Sequence, residues 1–317
     1  MTKWKTWAVA ALVGAAAAVS SAHAEFPNDG EITFVIPYNP GGGFDTIVRA
    51  YIPALQEVLG ATVVPQNISG ASGTRGGQAV YRADPDGYTI GIFNIPGLTV
   101  SEAMDRKIGF DLDKVTWIAN LAEEQYAIAV KTDSPYKSTK DLCALGRPIK
   151  LSDTGKDSTS SITAVITFDM MGCPITNIAG YGGSNDTMIA VMRGEVDATL
   201  KPISSLSKYV DSGDLRIITT LTDKPVLEGV ETTTDLGYPD VARFTINRVV
   251  GGPPDMPADV VKTLQDAFAK ATESADVQAW AKGSNTRLQY RNAADTKAMM
   301  DDLSTFYAAH KALLSGQ

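Results

Sequence analysis

Histidine is scarce in this sequence, since His23 and His310 are the only two among 317 residues. A Ser-His-Asp triad and a metal site built from several imidazoles both need this residue, so both are disfavoured. His310 falls on the apolar stripe of the last predicted helix, where a histidine is typically a packed core or boundary residue. We therefore predict no catalytic residue, no metal site and no cofactor.

Positive charge is also in short supply. Lys and Arg number 28 against 36 Asp and Glu, which gives a net charge of −8, and no basic block occurs. Nucleic acids are bound by clustered Lys and Arg, so we expect no nucleic-acid surface. The hydrophobic content of 44% and the charged content of 20% are ordinary for a globular protein and exclude a disordered or coiled-coil chain.

A long apolar run occurs only at the N-terminus. Lys3 and Lys5 precede an apolar stretch at 7–19, and Ala-His-Ala at 22–24 is a small-residue cleavage site. We expect residues 1–24 to be a signal peptide. A membrane anchor is the disfavoured alternative, because the stretch is short for a bilayer. Export would place the remaining chain in a periplasm.

Cysteine is as rare as histidine. Cys143 and Cys173 are the only two, and both follow the expected cleavage site. An exported protein meets oxidising conditions, so one disulfide between them is the favoured interpretation. Two buried free thiols remain the alternative, because spacing does not fix geometry.

Short apolar runs alternate with amphipathic stretches along the mature chain, which predicts an α/β protein. The β-α-β-α-β order of the first part implies a largely parallel sheet. The chain crosses between two units near 120–126 and again near Asn247. We expect domain 1 to comprise residues 25–124 and 247–317, and domain 2 to comprise residues 125–246.

The elements follow from hydrophobic periodicity and from helix start and stop signals. Pro53 should kink the first helix, because it removes a backbone hydrogen bond. The predicted strands are 32–36, 63–65, 88–93, 126–131, 149–152, 177–179, 196–200, 215–220 and 248–250. The predicted helices are 44–59, 158–171, 186–193, 257–271 and 293–314.

Three consecutive glycines, Gly41 to Gly43, follow the first strand and open the first helix. They resemble a dinucleotide fingerprint, but Thr46 stands where the third glycine belongs, and no phosphate-binding P-loop occurs. Glycines let the backbone approach a ligand, and free N–H groups at a helix N-terminus attract an anion. A plain tight turn between strand and helix is an equally weighted alternative.

Six motifs stand in a characteristic order and spacing: Pro37–Asp45, Gly70–Gly76, Asp84–Thr89, Tyr181–Ser184, Gly194–Asp197 and Val250–Pro254. Together they resemble the receptors of tripartite tricarboxylate transporters, also called Bug receptors, and the resemblance covers essentially the whole mature chain. It implies a two-domain periplasmic binding protein of type II-like, Venus flytrap form, which captures small carboxylates and presents them to a membrane permease. We expect a monomer, and the alternative function is an exported hydrolase or lyase on a two-domain α/β frame.

The loop chemistry and the resemblance together predict a ligand site in a cleft between the domains. Helix N-termini from both sides would present amides to an anion, each contributing about 0.3–1 kcal/mol. The predicted ligand-binding residues are Tyr38, Gly42, Gly43, Phe44, Asp45, Asn94, Ser158, Thr159, Ser184 and Lys201.

Several of these residues have a second interpretation. Lys201 and Arg75 are candidate counter-charges for a carboxylate, although such cations are more often solvated. Asp45 would cap the loop amides or hold a water, or would simply be a first-turn acid that the helix dipole favours. Phe44 would stack on an aromatic ligand or pack inside domain 1. We expect Asp197 to order a neighbouring loop.

Overall fold

The computed structural model describes residues 26–28, 30–104 and 106–314. The expected signal peptide, residues 1–24, lies outside the described residues. None of the helices in the described part combines the length and the apolar character that a bilayer span requires.

Eleven strands are assigned in the described ranges, and the predicted ones lie close to their expected positions. Two differ clearly: β4 begins ten residues earlier than predicted, and β7 lies later than the predicted strand 196–200. The strands are β1 (Ile32–Ile36), β2 (Val63–Asn67), β3 (Thr89–Ile95), β4 (Thr116–Lys131), β5 (Ile149–Ser152), β6 (Ile175–Ile178), β7 (Thr199–Pro202), β8 (Leu215–Thr220), β9 (Glu231–Thr232), β10 (Thr245–Gly252) and β11 (Leu288–Asn292).

The helices include all five predicted ones. The last predicted helix is divided into two, and a helix that was not predicted follows α8 directly. The helices are α1 (Gly43–Leu59), α2 (Thr74–Tyr81), α3 (Gly97–Ala103), α4 (Thr139–Cys143), α5 (Thr159–Met170), α6 (Ser184–Met192), α7 (Ile203–Asp211), α8 (Ala258–Glu273), α9 (Ala275–Gly283), α10 (Ala293–Ala308) and α11 (Lys311–Leu314).

The main sheet is mixed, but the parallel arrangement predicted for the first part of the chain is confirmed. Its strand order is β2-β1-β3-β10-β4-β8-β9, and β7 and β11 also pair with β4. Strands β2, β1 and β3 are parallel, as the predicted order requires, but β10 lies antiparallel between β3 and β4. The physical reason is that a strand from late in the chain fills the place beside β3. Strands β5 and β6 form a separate parallel pair.

Strand β4 runs through both halves of the molecule. Its residues Thr116 to Gln125 pair with β10, and its residues Tyr126 to Lys131 pair with β7 and β8. Strand β10 begins at Thr245, opposite Gln125, so the chain returns beside the point where it left. The predicted division defines lobe 1 as residues 30–124 and 247–314, and lobe 2 as residues 125–246. The division itself stays a prediction.

Helix α1 shows how the chain builds lobe 1. Its apolar face buries Ile47, Tyr51 and Leu55, and it continues through Pro53 to a left-handed Gly60 (φ 64°). Glycine tolerates that conformation without steric cost, which ends the helix where the sequence predicts. Helix α1 packs against α8, so the end of the chain completes the first lobe.

A disulfide joins Cys143, the last residue of α4, to Cys173, which follows α5. The Cα atoms are 5.1 Å apart, within the normal range for such a bond. The predicted bond is confirmed, and the free-thiol alternative is wrong.

Candidate functional site

Helix N-termini from the two lobes face each other across a cavity. Helix α1 begins at Gly43 in lobe 1, and helix α6 begins at Ser184 in lobe 2. A Cβ atom added to Gly42 would lie only 3.5 Å from the Ser184 nitrogen, so the two helix starts are in near contact. Their positive dipole ends therefore point into one space.

The cavity between these helices has a volume of about 20 Å³ and draws its wall from both lobes. A wider groove of about 380 Å³ is lined by other residues, including Gln125, Val226 and Lys282. The first residues of α1 and α6 do not line that groove, so we take the smaller cavity as the candidate site. Its wall consists of Tyr38, Phe44, Asn94, Thr154, Ser158, Ser160, Ser184, Lys201, Pro202, Ser205, Ile246 and Arg248.

Asp153 organises the lobe 2 side of the cavity. It directly follows β5 and accepts hydrogen bonds from the hydroxyls of Ser158 and Ser160 and from the Thr154 amide. Lys201 Nζ lies 3.2 Å from the Asp153 carboxylate and donates to Ser160 Oγ at 2.9 Å. Lys201 is only 1% exposed, and this burial lowers its pKa, while Asp153 opposes the shift. The pair is a buried, hydrogen-bonded ion pair.

Arg248 occupies the lobe 1 side, on the crossing strand β10. Its Nε donates to Glu124, and its guanidinium lies over the Phe44 ring, 4.5 Å from the centroid. The pairing of β10 with β4 shifts register between Asn247 and Val249, where the single residue Arg248 lies opposite two residues of β4.

A chain of hydrogen bonds connects the lobes along one edge of the cavity. The Tyr38 hydroxyl accepts from Asn94 Nδ2 at 2.6 Å and donates to the Ser72 carbonyl. Thr159 Oγ1 donates to Asn94 Oδ1 at 2.6 Å and accepts from the Gly97 amide at 2.8 Å. Burial raises the pKa of Tyr38 well above its ordinary value, so the hydroxyl keeps its proton.

The predicted site residues divide into two groups. Six of the ten lie on the cavity wall: Tyr38, Phe44, Asn94, Ser158, Ser184 and Lys201. Gly42, Gly43, Asp45 and Thr159 lie outside the wall. For all ten, contact with a ligand stays a prediction.

Asp45 caps its own loop. Its carboxylate accepts from the Gly41 amide at 2.9 Å, and it also accepts from Asn67 and from Arg49 Nε. Burial alone would raise the pKa of Asp45, but these hydrogen bonds outweigh it and leave the pKa below its ordinary value.

The other charged candidates lie outside the cavity wall. Arg75 is exposed. Asp197 accepts two hydrogen bonds from Arg147 and one from the Lys150 amide, which confirms its predicted role in ordering a neighbouring loop. His310 lies among the rings of Phe244 and Phe306, as a packed histidine should.

Sequence reasoning missed Asp153, Ser160, Ser205 and Arg248. Arg248 had a usable signal, because a charged residue inside an apolar strand, beside Val249 and Val250, needs a buried partner. The others carry no such signal, since serines and an acid at a strand end are ordinary loop residues.

Comparison with known proteins decides the family. A family model described as "Tripartite tricarboxylate transporter family receptor" matches residues 47–308. The chain belongs to this receptor family. The family predicted from the motifs is therefore confirmed, and the matched segment contains most of the cavity wall.

Individual receptors and solved structures agree. The Cupriavidus necator "UPF0065 protein in gbd 5'region" is 28% identical over 278 residues, covering 84% of this chain and 82% of that protein. The periplasmic binding protein BugD matches with a TM-score of 0.85 at 21% identity, covering 91% and 98% of the two chains. MatC from Rhodopseudomonas palustris, solved with bound malate, matches with a TM-score of 0.83 at 20% identity, covering 91% and 100%. The predicted two-domain periplasmic binding protein fold is confirmed.

Proposed function

We propose that this receptor is a periplasmic protein that binds a small organic carboxylate between its lobes and delivers it to a tripartite tricarboxylate transporter permease. The observation that carries the proposal is the cavity wall, where the starts of helices from both lobes meet the buried cations Lys201 and Arg248. Fixed amide dipoles and buried cations favour an anion even in a protein of negative net charge. The malate bound by MatC is of the same chemical class.

Ligand entry requires the lobes to separate. The cavity is walled by residues of both lobes, and hydrogen bonds across the cleft hold the lobes together. Asn39 in lobe 1 donates through its backbone to the Gly182 carbonyl at 3.0 Å and through its side chain to Asp186 at 2.9 Å. A ligand held by both lobes binds the closed arrangement better than the open one and shifts the population toward closure. The permease would then recognise the closed, loaded receptor.

The alternative of an exported hydrolase rests on one contact. Lys201 lies beside Ser160, as in a serine–lysine nucleophile pair. Ser160, however, donates its hydroxyl proton to Asp153 and accepts from Lys201, which is the reverse of the direction in which a lysine base would take that proton. The geometry therefore favours binding over catalysis.

Calorimetry on the mature protein with malate, succinate, adipate and a monocarboxylate tests the proposal. We expect saturable binding of at least one acid, with the bound acid unchanged in mass after incubation. Small-angle scattering should show a smaller radius of gyration with the acid than without it. Binding of none of these acids would refute carboxylate capture, and a changed mass would favour the hydrolase.

A further inference from the structure

Two buried cations face the cavity, but they differ in what already neutralises them. Lys201 Nζ contacts both Asp153 and Ser160, and Asp153 also accepts from Ser158. A ligand carboxylate beside Lys201 would therefore lie close to the Asp153 carboxylate, and charges of like sign repel strongly in a buried site. The lobe 2 cation is poorly placed to hold an anion directly.

Arg248 is neutralised from one side only. Its Nε donates to Glu124, which is not part of the cavity wall, and its guanidinium carbon lies 4.5 Å from the centroid of the Phe44 ring. Within the described residues, the hydrogen bond of the Arg248 guanidinium runs from Nε to Glu124. Because Arg248 is buried and lines the cavity, its Nη groups can donate to an acceptor placed inside it.

A second donor converges on the same place. Ser205 lines the cavity and is 7% exposed, and its Oγ is buried without a partner in the described part of the chain. A Cβ atom added to Gly43 would lie 2.6 Å from Ser205 Oγ and 2.6 Å from Arg248 Nη2. Both donors therefore border the first residue of α1, where the helix dipole is positive.

We propose that Arg248, rather than Lys201, holds a carboxylate of the ligand, with the Ser205 hydroxyl and the start of α1 beside it. This inference rests on the proposed carboxylate-binding function and specifies its charge recognition. A planar carboxylate matches the paired Nη groups in bidentate fashion, which an amide cannot do because its NH₂ group is itself a donor. Arg248 thus determines the preference for an acid over its amide, and Lys201 positions Ser160 and Asp153.

The test compares malate with its diamide, malamide, by titration calorimetry. Single removal of one member of a buried ion pair leaves an uncompensated charge, so the test variant is Arg248→Met with Glu124→Gln. We expect its preference for malate over malamide to fall by about 10- to 100-fold. The matched control is Glu123→Gln with Arg291→Met, which removes the neighbouring ion pair between β4 and β11 and should leave the preference unchanged.

A third double variant separates the two cations. Asp153→Asn with Lys201→Met should weaken malate and malamide alike and keep their ratio. The inference would be overturned if the Asp153→Asn, Lys201→Met variant lost the preference for malate over malamide, or if the Arg248→Met, Glu124→Gln variant kept it. Neither result would contradict carboxylate binding itself. If the wild type bound none of malate, succinate, adipate and the monocarboxylate, the proposed function itself would be refuted. If the Arg248→Met, Glu124→Gln variant does not fold, Arg248→Lys replaces it, because lysine keeps the positive charge but lacks the two Nη donors. The preference of this variant for malate over malamide should be lower than that of the wild type, and an unchanged preference would overturn the inference.

Discussion

The disulfide between Cys143 and Cys173 should carry a large part of the stability of lobe 2. The bond closes a loop with a sequence separation of 30, from the end of α4 to the residue just beyond α5. The chain-entropy treatment gives about 3.6 kcal/mol for a loop of that length. At about 2–4 °C for each kcal/mol in a protein of this size, replacing both cysteines by serine should lower the melting temperature by about 7–14 °C.

Calorimetric melting of the Cys143→Ser, Cys173→Ser variant against the wild type measures this effect. The control is the wild type with the disulfide reduced under native conditions. It should melt at the same temperature as the double variant. Ligand affinity at 25 °C should change little, because the other end of α5 is fixed by Ser158 and Asp153. Equal melting of oxidised and reduced protein would refute the entropic reasoning, and a lost affinity would show that the bond shapes the cavity.

Three further variants test the site and its surroundings. Gly43→Val should abolish carboxylate binding in calorimetry, since its Cβ would lie 2.6 Å from Arg248 Nη2. The circular dichroism spectrum should stay unchanged. Unchanged affinity would show that this loop is not part of the site. Ser184→Pro should keep α6 folded, because Ser184 is its first helical residue and follows the extended Gly183, a position that tolerates proline. Loss of the Ser184 amide should weaken malate binding by about 5- to 10-fold and should reduce the ligand-induced decrease of the radius of gyration in small-angle scattering. A decrease as large as that of the wild type would contradict this role. Asp197→Asn should lower the free energy of unfolding by about 1 kcal/mol at a pH above the ordinary carboxyl pKa, because the Arg147 hydrogen bond favours the ionised form of Asp197. The stability difference between variant and wild type should vanish as the pH falls through the lowered pKa of Asp197 in the folded protein. A stability difference that persists in acid would contradict the assignment.

The sequence predicts elements whose signals are local. Strand β1 and helices α1 and α5 appear where apolar runs and helix start and stop signals place them. Helix α1 buries one face, whereas β1 and α5 are buried along almost their whole length. The first half of β4 escapes such reasoning, since Asn120 and Glu124 interrupt its apolar pattern. Both find partners far along the chain: Asn120 donates to the Gln289 carbonyl, and Glu124 accepts from Arg248.

The same distinction explains the candidate site. Ser158 and Ser184 were predictable because each stands at the start of a helix, where exposed amides and hydroxyls face a cleft. Thr159 has equally suitable chemistry, but it faces Gly97 of the other lobe and is fully buried. Which of two adjacent residues faces the cavity depends on how the lobes pack. That packing depends on contacts between residues far apart in the chain, which the sequence around Ser158 and Thr159 does not reveal.

The position of Arg248 connects ligand charge to lobe movement. Glu124 is the last residue of lobe 1 on β4, and it lies opposite Ile246 on β10, so the ion pair spans the two crossing strands themselves. If the lobes move as proposed and the pairing of β4 with β10 persists, Arg248 would stay neutralised by Glu124 in both arrangements, and a buried charge would not be left unpaired when no ligand is present. Helix α6 belongs to lobe 2, so under the proposed closure its amides would reach a carboxylate on Arg248 only as the cleft closes. An anion fixed at the crossing point would thus gain contacts from lobe 2 through closure alone, which makes closure a consequence of binding.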